Sequence, residues 1–486
     1  MDNRILSQTN TTKKEEKEEP QQTFTFRLNL EIPLRMGSLD DMTVQLRDSV
    51  MPKLAEQFST YMNTFDQCLN ALPEIKEDGY RVKERNVERS YTTAVGEVRF
   101  SRTYFRAPDG GYVYLLDKIM EIEPRERVSK AVSAELINNS VSMSFRKAIE
   151  STGVDVSSQT LHNRICALGE LVVDVPETKE PAKELHIFAD EDHVSIHTPN
   201  GKRNTVVPLV AITEGIDTTN PKRHQVKNPL YIAGYRQSPD TIFNQLYAVA
   251  DRRYDLSEAE KIYVHADGGK WIKGYREVFP DATFVMDEFH ITKRFKALSS
   301  FFTPEGLKAL MGCIKKNDYP EFIGRMIEAV NREKDSRRKQ RLKEELQYFM
   351  RNWTGIVNRK TLAVCGSCTE PMISHVLAER LSRTPCGWSV AGLEKMSMLR
   401  AFMANGGMVK REDVVTSVNK KGEEEALERR KKEGYEKYGK YAEKAEAALE
   451  KEIKEMFSKG LPDYIIDGTG GVQQYIKRVS SQELGI

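Results

Sequence analysis

Cysteine is scarce, with six in 486 residues (Cys68, Cys166, Cys313, Cys365, Cys368 and Cys386), which excludes a disulfide scaffold and suits a reducing cytosol. Long apolar runs are missing too. No uncharged stretch approaches the roughly 20 residues of a membrane span, 30% of the chain is charged, and the mean hydropathy is -0.56, so a soluble protein without a membrane partner is expected. The opening MDNRILSQTNTTKKEEKEEPQQ lacks the apolar core of a signal peptide and reads as a disordered lead-in, placing the protein in the cytoplasm. No repeat of 20 to 50 residues is found. A strong excess of one charge is also lacking, since 74 basic residues stand against 72 acidic ones. What is present is length, enough for about three domains of the usual size.

The distribution of charge says more than its sum. From Pro304 to Lys360 there are 14 Lys or Arg against 8 Asp or Glu, an excess able to attract phosphate. Residues 410 to 459 mix both signs densely, and within them 419–457, rich in helix formers with Glu and Lys three and four apart, reads as a solvated helix. Its Tyr435, Tyr438, Tyr441 and Ala445 recur at helical spacing, which suits packing on the body or on a second subunit.

Beyond the lead-in, Thr25 to Ile32 reads as a strand, followed by an amphipathic helix that carries Met51, Leu54, Phe58 and Met62 on one face. Residues 88 to 116 alternate around Gly96 and Asp109-Gly110-Gly111, the pattern of a β-meander. In SFRKAIESTGVDVSSQTLHNRI one helix ends near Gly153, and Ser157 caps a second that buries Leu161 and Ile165. Its outer face would carry Ser158, Gln159, His162 and Asn163, as a helix-turn-helix presents base-reading side chains, although a plain helical hairpin fits the same pattern.

After a Pro-containing linker, Val172 to Glu184, the pattern becomes α/β. Residues 184–190, 192–197 and 205–213 are three successive strand candidates with short turns, one of them Pro199-Asn200-Gly201, so they should be antiparallel. A helix from Asp240 to Arg252, a strand over 261–267, a helix from Lys270 to Phe279, a strand over 282–287 and a helix from near His290 follow. That order is the order of a ribonuclease H-like sheet. The domains expected are a lead-in (1–24), a small α+β region (25–125), a helix-turn-helix (126–171), an α/β ribonuclease H-like catalytic domain (184–296 with 361–408) interrupted by a basic helical insertion (297–360), and a charged helical region (409–486).

In that topology Asp190 and Asp267 end adjacent central strands, and Glu370 starts a helix that can dock on the sheet. Three convergent carboxylates suit Mg²⁺, which prefers hard oxygens and keeps several waters, with Mn²⁺ as a substitute. Two such ions can activate a water or a 3′-hydroxyl and stabilise the leaving oxygen. Among 72 acids, spacing alone is a weak guide.

The segments FADEDHVSIHTPNGKRNTVVPLVAITEGI, YVHADGGKWIKGYREVFPDATFVMDEFHITKRFKAL and GSCTEPMISHVLAERLSRTPCGWSVAGLEKMSMLRAF add specificity. They closely resemble the ISLre-two family of bacterial insertion-sequence transposases, over about residues 25 to 408, and more distantly the Mutator-like transposases. The motifs that carry the resemblance are A-D-E-D, H-A-D-G, D-x-F-H and E-x-x-x-S-H-V-L with a following G-W-S. The resemblance implies a DDE transposase with Asp190, Asp267 and Glu370 on the acidic positions, Mg²⁺ as cofactor, double-stranded element ends and target DNA as partners, and a homo-oligomer in the active complex. Asp192 is the rival for the first acid and Glu394 for the third, though Glu394 lacks the S-H-V-L context.

Asp287 and His290 could place a further carboxylate and an imidazole near the metal; local helix-start roles are the alternative. Lys315, Lys316, Arg337 and Arg338 in the insertion are candidate phosphate contacts. Cys365-x-x-Cys368 has metal spacing, but with only Cys386 and His375 nearby it lacks the second close pair of a structural zinc site. Trp271 and Trp388 suit core packing better than base stacking. A nuclease without strand transfer, or a transposase-derived DNA-binding protein no longer catalytic, would share much of this pattern.

Overall fold

The computed structural model describes residues 24–26, 38–171, 182–220, 224–383, 387–414, 438–445, 447–449, 451 and 464–466. The chain divides into two compact units, Met1–Ser129 with Asn419–Ile486, and Lys130–Val418. Among the described residues no helix is long and apolar enough to cross a membrane.

In the first unit, helix α1 (Leu39–Ala71) packs on an antiparallel meander of β1 (Arg81–Thr93), β2 (Gly96–Arg106) and β3 (Tyr112–Tyr114). Ser38 caps α1 by accepting from Asp41 N, and Asp66 accepts from Thr103 N at 3.0 Å, tying helix to sheet. The buried stripe of α1 is Ala55, Met62, Phe65 and Leu69, whereas Met51 and Phe58 stay exposed. The expected face is therefore only partly the buried one: Met62 belongs to it, and the buried stripe shares a core with Phe100 and Phe105 of the meander, against which Tyr91 packs. Of the strand expected over 25–32, only the segment Phe24–Phe26 lies within the described residues. Asp117 is buried between Arg89, at 3.0 Å, and Arg102, whose guanidinium covers the Tyr114 ring. Tyr441, Ala445 and Leu449 of the C-terminal segment are buried in this same core, with Tyr441 set edge-on to Tyr80. That part of the expected packing is found; Tyr435 lies outside the described residues.

The second unit opens with three helices, α2 (Lys130–Ser142), α3 (Phe145–Thr152) and α4 (Ser158–Ala167). Gly153 ends α3 with φ at +67°, a conformation that an L side chain resists, and Ser157 caps α4 by accepting from Thr160 N. Val156, Leu161 and Ile165 face inward. The linker residues 172–181 lie outside the described residues.

A mixed five-stranded sheet follows, built from β4 (Glu184–Thr198), β5 (Gly201–Thr213), β6 (Leu230–Ala233), β7 (Lys261–Ala266) and β8 (Thr283–Met286) in the spatial order β8-β7-β4-β5-β6. β4, β7 and β8 are parallel, and β4, β5 and β6 antiparallel. The two segments expected as separate strands at 184–190 and 192–197 are one continuous strand, and β6 is an additional one. Helix α5 (Pro239–Arg253) covers one face with Ile242, Phe243, Leu246 and Val249 against Leu185, Ile187, Ala189, Val264 and Ala266. Alternation then leaves His186, Phe188 and Asp190 of β4 on the other face. The stretch expected as one helix over 270–279 is a short 3₁₀ turn, Trp271–Gly274, joined to a single helical turn, Tyr275–Val278.

Beyond β8 the chain is helical: α6 (Glu288–Leu298), α7 (Pro304–Lys315), α8 (Tyr319–Arg332) and α9 (Ser336–Thr361) share a core of Ile291, Leu310, Ile314, Phe322, Met326, Leu342, Phe349 and Ile356. α9 approaches the edge strand closely at Gly355, where an added Cβ would collide with the Phe284 ring. After it come α10 (Thr369–Met372), a π-helical turn over Ile373–Ala378, and α11 (Val390–Ala404).

Candidate active site

The parallel register sets Ala189, Ala266 and Met286 side by side across β4, β7 and β8. The next residue of each chain is an aspartate: Asp190, Asp267 and Asp287. Three neighbouring strands thus deliver a carboxylate at the same end of the sheet. Asp190 is pushed up to about 7 by burial and by the facing charges of Asp267 and Asp287, against which the Glu191 amide, at 2.8 Å from its Oδ1, works in the other direction. Asp267 Oδ1 accepts from Gly269 N at 2.7 Å, in a turn made possible by Gly268 at φ +85°.

Asp287 is held differently. It is buried, caps α6 by accepting from Phe289 N at 2.8 Å, and accepts from the hydroxyls of Ser367 and Thr369, the latter at 2.7 Å. Both its oxygens are engaged, so it works as a clamp for the segment 367–369. Glu370 follows immediately, exposed on the first turn of α10. Asp190 and Asp267 therefore come together as expected, Asp287 joins them, and Glu370 stands on the strap that Asp287 holds.

The other candidates separate. Asp192 is buried and accepts from Ser382 Oγ at 2.9 Å, and burial raises its carboxyl above the usual value. Glu394, on α11, acts on Cys166 of α4. His290 lies on α6, half-buried, with the exposed Phe289 ring edge-on to it.

The profile of the Uncharacterised protein family (UPF0236) matches residues 36–420. The chain belongs to the UPF0236 family. A UPF0236 protein of Caldanaerobacter subterraneus subsp. tengcongensis, whose name carries eleven locus designations, is 35% identical over 346 residues, covering 68% of this chain and 72% of the relative. Another from that strain, named with four locus designations, is 34% identical over 343 residues, 68% of this chain and 72% of the relative. A UPF0236 protein in the vanSb 3′ region of Streptococcus gallolyticus is 25% identical over 381 residues, 74% of this chain and 83% of its own length.

In this UPF0236 chain the outer face of α4 exposes Ser158, Gln159 and Asn163, and Gln159 Nε2 donates to Asn163 Oδ1 at 2.8 Å. His162 is turned away from that face, its Nε2 2.9 Å from Ser389 Oγ, so it belongs to the packing of α4 on α11. Lys315, Lys316 and Arg337 are exposed on the insertion. Arg338 is tied down: it pairs with Glu333 at 2.9 Å, donates to Ser300 O and covers the Phe301 ring.

The G-W-S motif proves to be a structural hub. Trp388 is buried, bridges β4 through His197 N to its carbonyl at 2.9 Å, and donates from Nε1 to Leu381 O. Arg380 covers its ring and donates to Ser140 O of α2, while Arg400 donates to Val376 O and Val141 O. These two arginines join the opening helices to the helical segment that carries Glu370. Sequence pattern gave no sign of them, since each acts through backbone carbonyls far away in the chain. Trp271 packs beside Phe243, as core packing predicts.

Proposed function

We propose that the chain is a DDE transposase that binds the ends of an insertion sequence and carries out metal-dependent DNA cleavage and strand transfer. The observation that carries the reading is the row Asp190, Asp267 and Asp287 on adjacent parallel strands. Support comes from the strand order, with the first strand central between the second and the fourth, as expected of a ribonuclease H-like sheet, and from the helical block between β8 and Glu370, which suits the interruption that the family resemblance implies. The short turn between α3 and α4 supports a helix-turn-helix reader. Relatives named with eleven and four locus designations in one strain are what repeated copying of a gene within a genome leaves behind.

The donor set fits a hard divalent cation. The converging side chains offer oxygens, and the proton affinity of Asp190 is raised by burial first and by the nearby Asp267 and Asp287 charges second, both of which a bound dication relieves. Asp190 and Asp267 would hold Mg²⁺, or Mn²⁺ in its place, with Glu370 as the third ligand that the family resemblance implies and Glu394 as its rival. When bound, the ions activate a water or 3′-hydroxyl and neutralise the leaving oxygen. Asp287 positions the Glu370 strap through Ser367 and Thr369. Gln159 and Asn163 read base edges in the element ends, and Lys315, Lys316 and Arg337 hold phosphates of element and target DNA. A homo-oligomer in the cytoplasm, pairing two ends, completes the proposal.

Purified protein, incubated with duplexes bearing the inverted repeats that flank its gene, provides the test. Cleavage and joining should require Mg²⁺ or Mn²⁺, and Ca²⁺ should allow binding with little chemistry. Asp190→Ala, Asp267→Ala and Glu370→Ala should each abolish cleavage while end binding persists. Cleavage in a chelator, or full activity of the Asp190→Ala protein, refutes the mechanism. Cleavage without joining would favour a nuclease, and binding without either a retired transposase. Wild-type activity of Glu370→Ala with loss in Glu394→Ala would move the third role.

A further inference from the structure

Below the carboxylates, on the same face of the sheet, lies a second cluster of different chemistry. His186 of β4 and His265 of β7 are almost fully buried, and His186 Nδ1 stands 2.9 Å from His265 Nε2. One ligand atom from each of His186, His265 and Cys365 falls within 4.8 Å of the other two. We infer that these three residues form a site for a borderline-soft transition-metal ion of the Zn²⁺ class, separate from the carboxylate site and independent of the proposed activity.

The donor chemistry selects the ion. Two imidazoles and a thiol suit Zn²⁺ and disfavour Mg²⁺, which demands oxygen. With bonds of about 2.0 to 2.3 Å, tetrahedral N···N and N···S edges are about 3.4 and 3.6 Å, so each donor needs to move by about an ångström or less. Burial lowers the proton affinity of both rings, against the Glu184 carboxylate at His186 and together with the His186 and Arg359 charges at His265. The other nitrogen of His186, Nε2, faces Glu184 Oε1 at 3.0 Å, the outer carboxylate that commonly fixes the tautomer of a metal-binding histidine.

Hydrogen bonding within the protein leaves the cluster incomplete. If His186 Nε2 donates to Glu184, its Nδ1 must accept from His265 Nε2, and the lone pair then falls on His265 Nδ1. Among the described residues that buried atom has no partner. A buried ring nitrogen left in this way costs free energy, so the hydrogen-bonded pair is not a fully satisfied core arrangement. Binding balances as follows: the hydrogen bond between His186 Nδ1 and His265 Nε2 opens, the His265 proton shifts from Nε2 to Nδ1, and the ion takes the two facing lone pairs and the sulfur of Cys365, whose thiol proton passes to solvent. The thiolate and Glu184 then balance the two charges of the ion.

The site has a structural consequence. Cys365 begins the segment that continues through Ser367 and Thr369 to Glu370, and its carbonyl accepts from Arg359 Nη1 at 2.8 Å. A metal there would fasten the start of this strap to the two central strands, β4 and β7. Cys368, three residues on, is buried against Met372 and takes no part.

Tag-free full-length protein, exchanged into buffer with excess Mg²⁺ to occupy the carboxylates, tests this with Zn²⁺ and Co²⁺ as probes. About one Zn²⁺ per chain should survive dialysis, and Co²⁺ should give a thiolate-to-metal absorption band with tetrahedral visible bands. Cys365→Ser should lose the band and at least tenfold in affinity with unchanged circular dichroism, and Cys368→Ser should keep both. His265→Gln should weaken binding in the same way. Failure of the wild-type protein to retain Zn²⁺, or equal binding by Cys365→Ser, overturns the assignment. Loss in Cys368→Ser with retention in Cys365→Ser also overturns it. Cleavage activity is not needed for any of these readouts.

Discussion

Replacing Asp190 by Asn removes one of three crowded charges while keeping the oxygen that accepts from the Glu191 amide at 2.8 Å. In metal-free wild-type protein at pH 8 this carboxylate is ionised, half-buried and opposed by Asp267 and Asp287. Its acid strength is displaced from the ordinary 3.8 to about 7. At full strength that displacement corresponds to about 4 kcal/mol against folding at high pH, and solvent reaching the half-buried group reduces it to about 2 kcal/mol. Because the folded form holds its proton to higher pH than the unfolded chain, wild-type stability falls as pH rises from about 4 to about 7 and is lowest above that range. The Asp190→Asn protein escapes this loss. By calorimetry in a chelator at pH 8 the transition of the Lys130–Val418 unit should rise by about 4 °C in the variant. The advantage should shrink steadily towards pH 4. Added Mg²⁺ should reverse the order, stabilising wild type and leaving the variant unmoved. An Asp190→Asn protein less stable than wild type in chelator at pH 8, or a difference independent of pH, would refute the picture of a buried carboxylate crowded by two others.

The remaining predictions concern the reader, the strap and the first unit. Replacing Gln159 and Asn163 by Ala should reduce discrimination between terminal and random DNA, by about 1 to 3 kcal/mol for each good base contact. Replacing Lys315, Lys316 and Arg337 should instead weaken both DNAs alike and flatten the salt dependence by about 0.9 per lost phosphate contact; titrations at several salt concentrations separate the two effects. The double change Ser367→Ala and Thr369→Ala frees the Glu370 strap from Asp287, and should lower the cleavage rate with end binding intact, measured in single-turnover reactions. Asp117→Ala leaves Arg89 and Arg102 buried without their shared partner and should cost about 3 to 5 kcal/mol in urea unfolding of the first unit.

Much of the sheet was legible because its strands alternate and its turns carry Asn, Asp and Gly. The acids Asp190, Glu191 and Asp192 nonetheless read as a break, since carboxylates are depleted in strands. The chain runs straight through them because pairing with Leu209, Pro208 and Val207 of β5 continues without interruption. β6 escaped notice because four residues, Leu230–Ala233, are too few to show a period. Asp267 could be placed from its strand end and Asp190 only from an expected end that the strand in fact runs past, while the third neighbour, Asp287, needed the register of β8. Cys365 looked like half of a zinc pair with Cys368; its neighbours His186 and His265 lie 179 and 100 residues earlier, where no local spacing could reveal them.

The burial of Tyr441, Ala445 and Leu449 among residues 55 to 122 sets the order in which the protein can mature on the ribosome. Some 319 residues separate Ile122 from Tyr441, so at about 5 to 20 residues per second the N-terminal core waits roughly 15 to 65 s for its last helix. The intervening unit is synthesised whole during that time and can fold first. A chain stopped early by a frameshift or nonsense codon would carry the sheet and its aspartates beside an unfinished core, a target for proteases. The N-terminal core thus depends on residues synthesised long after the rest of it.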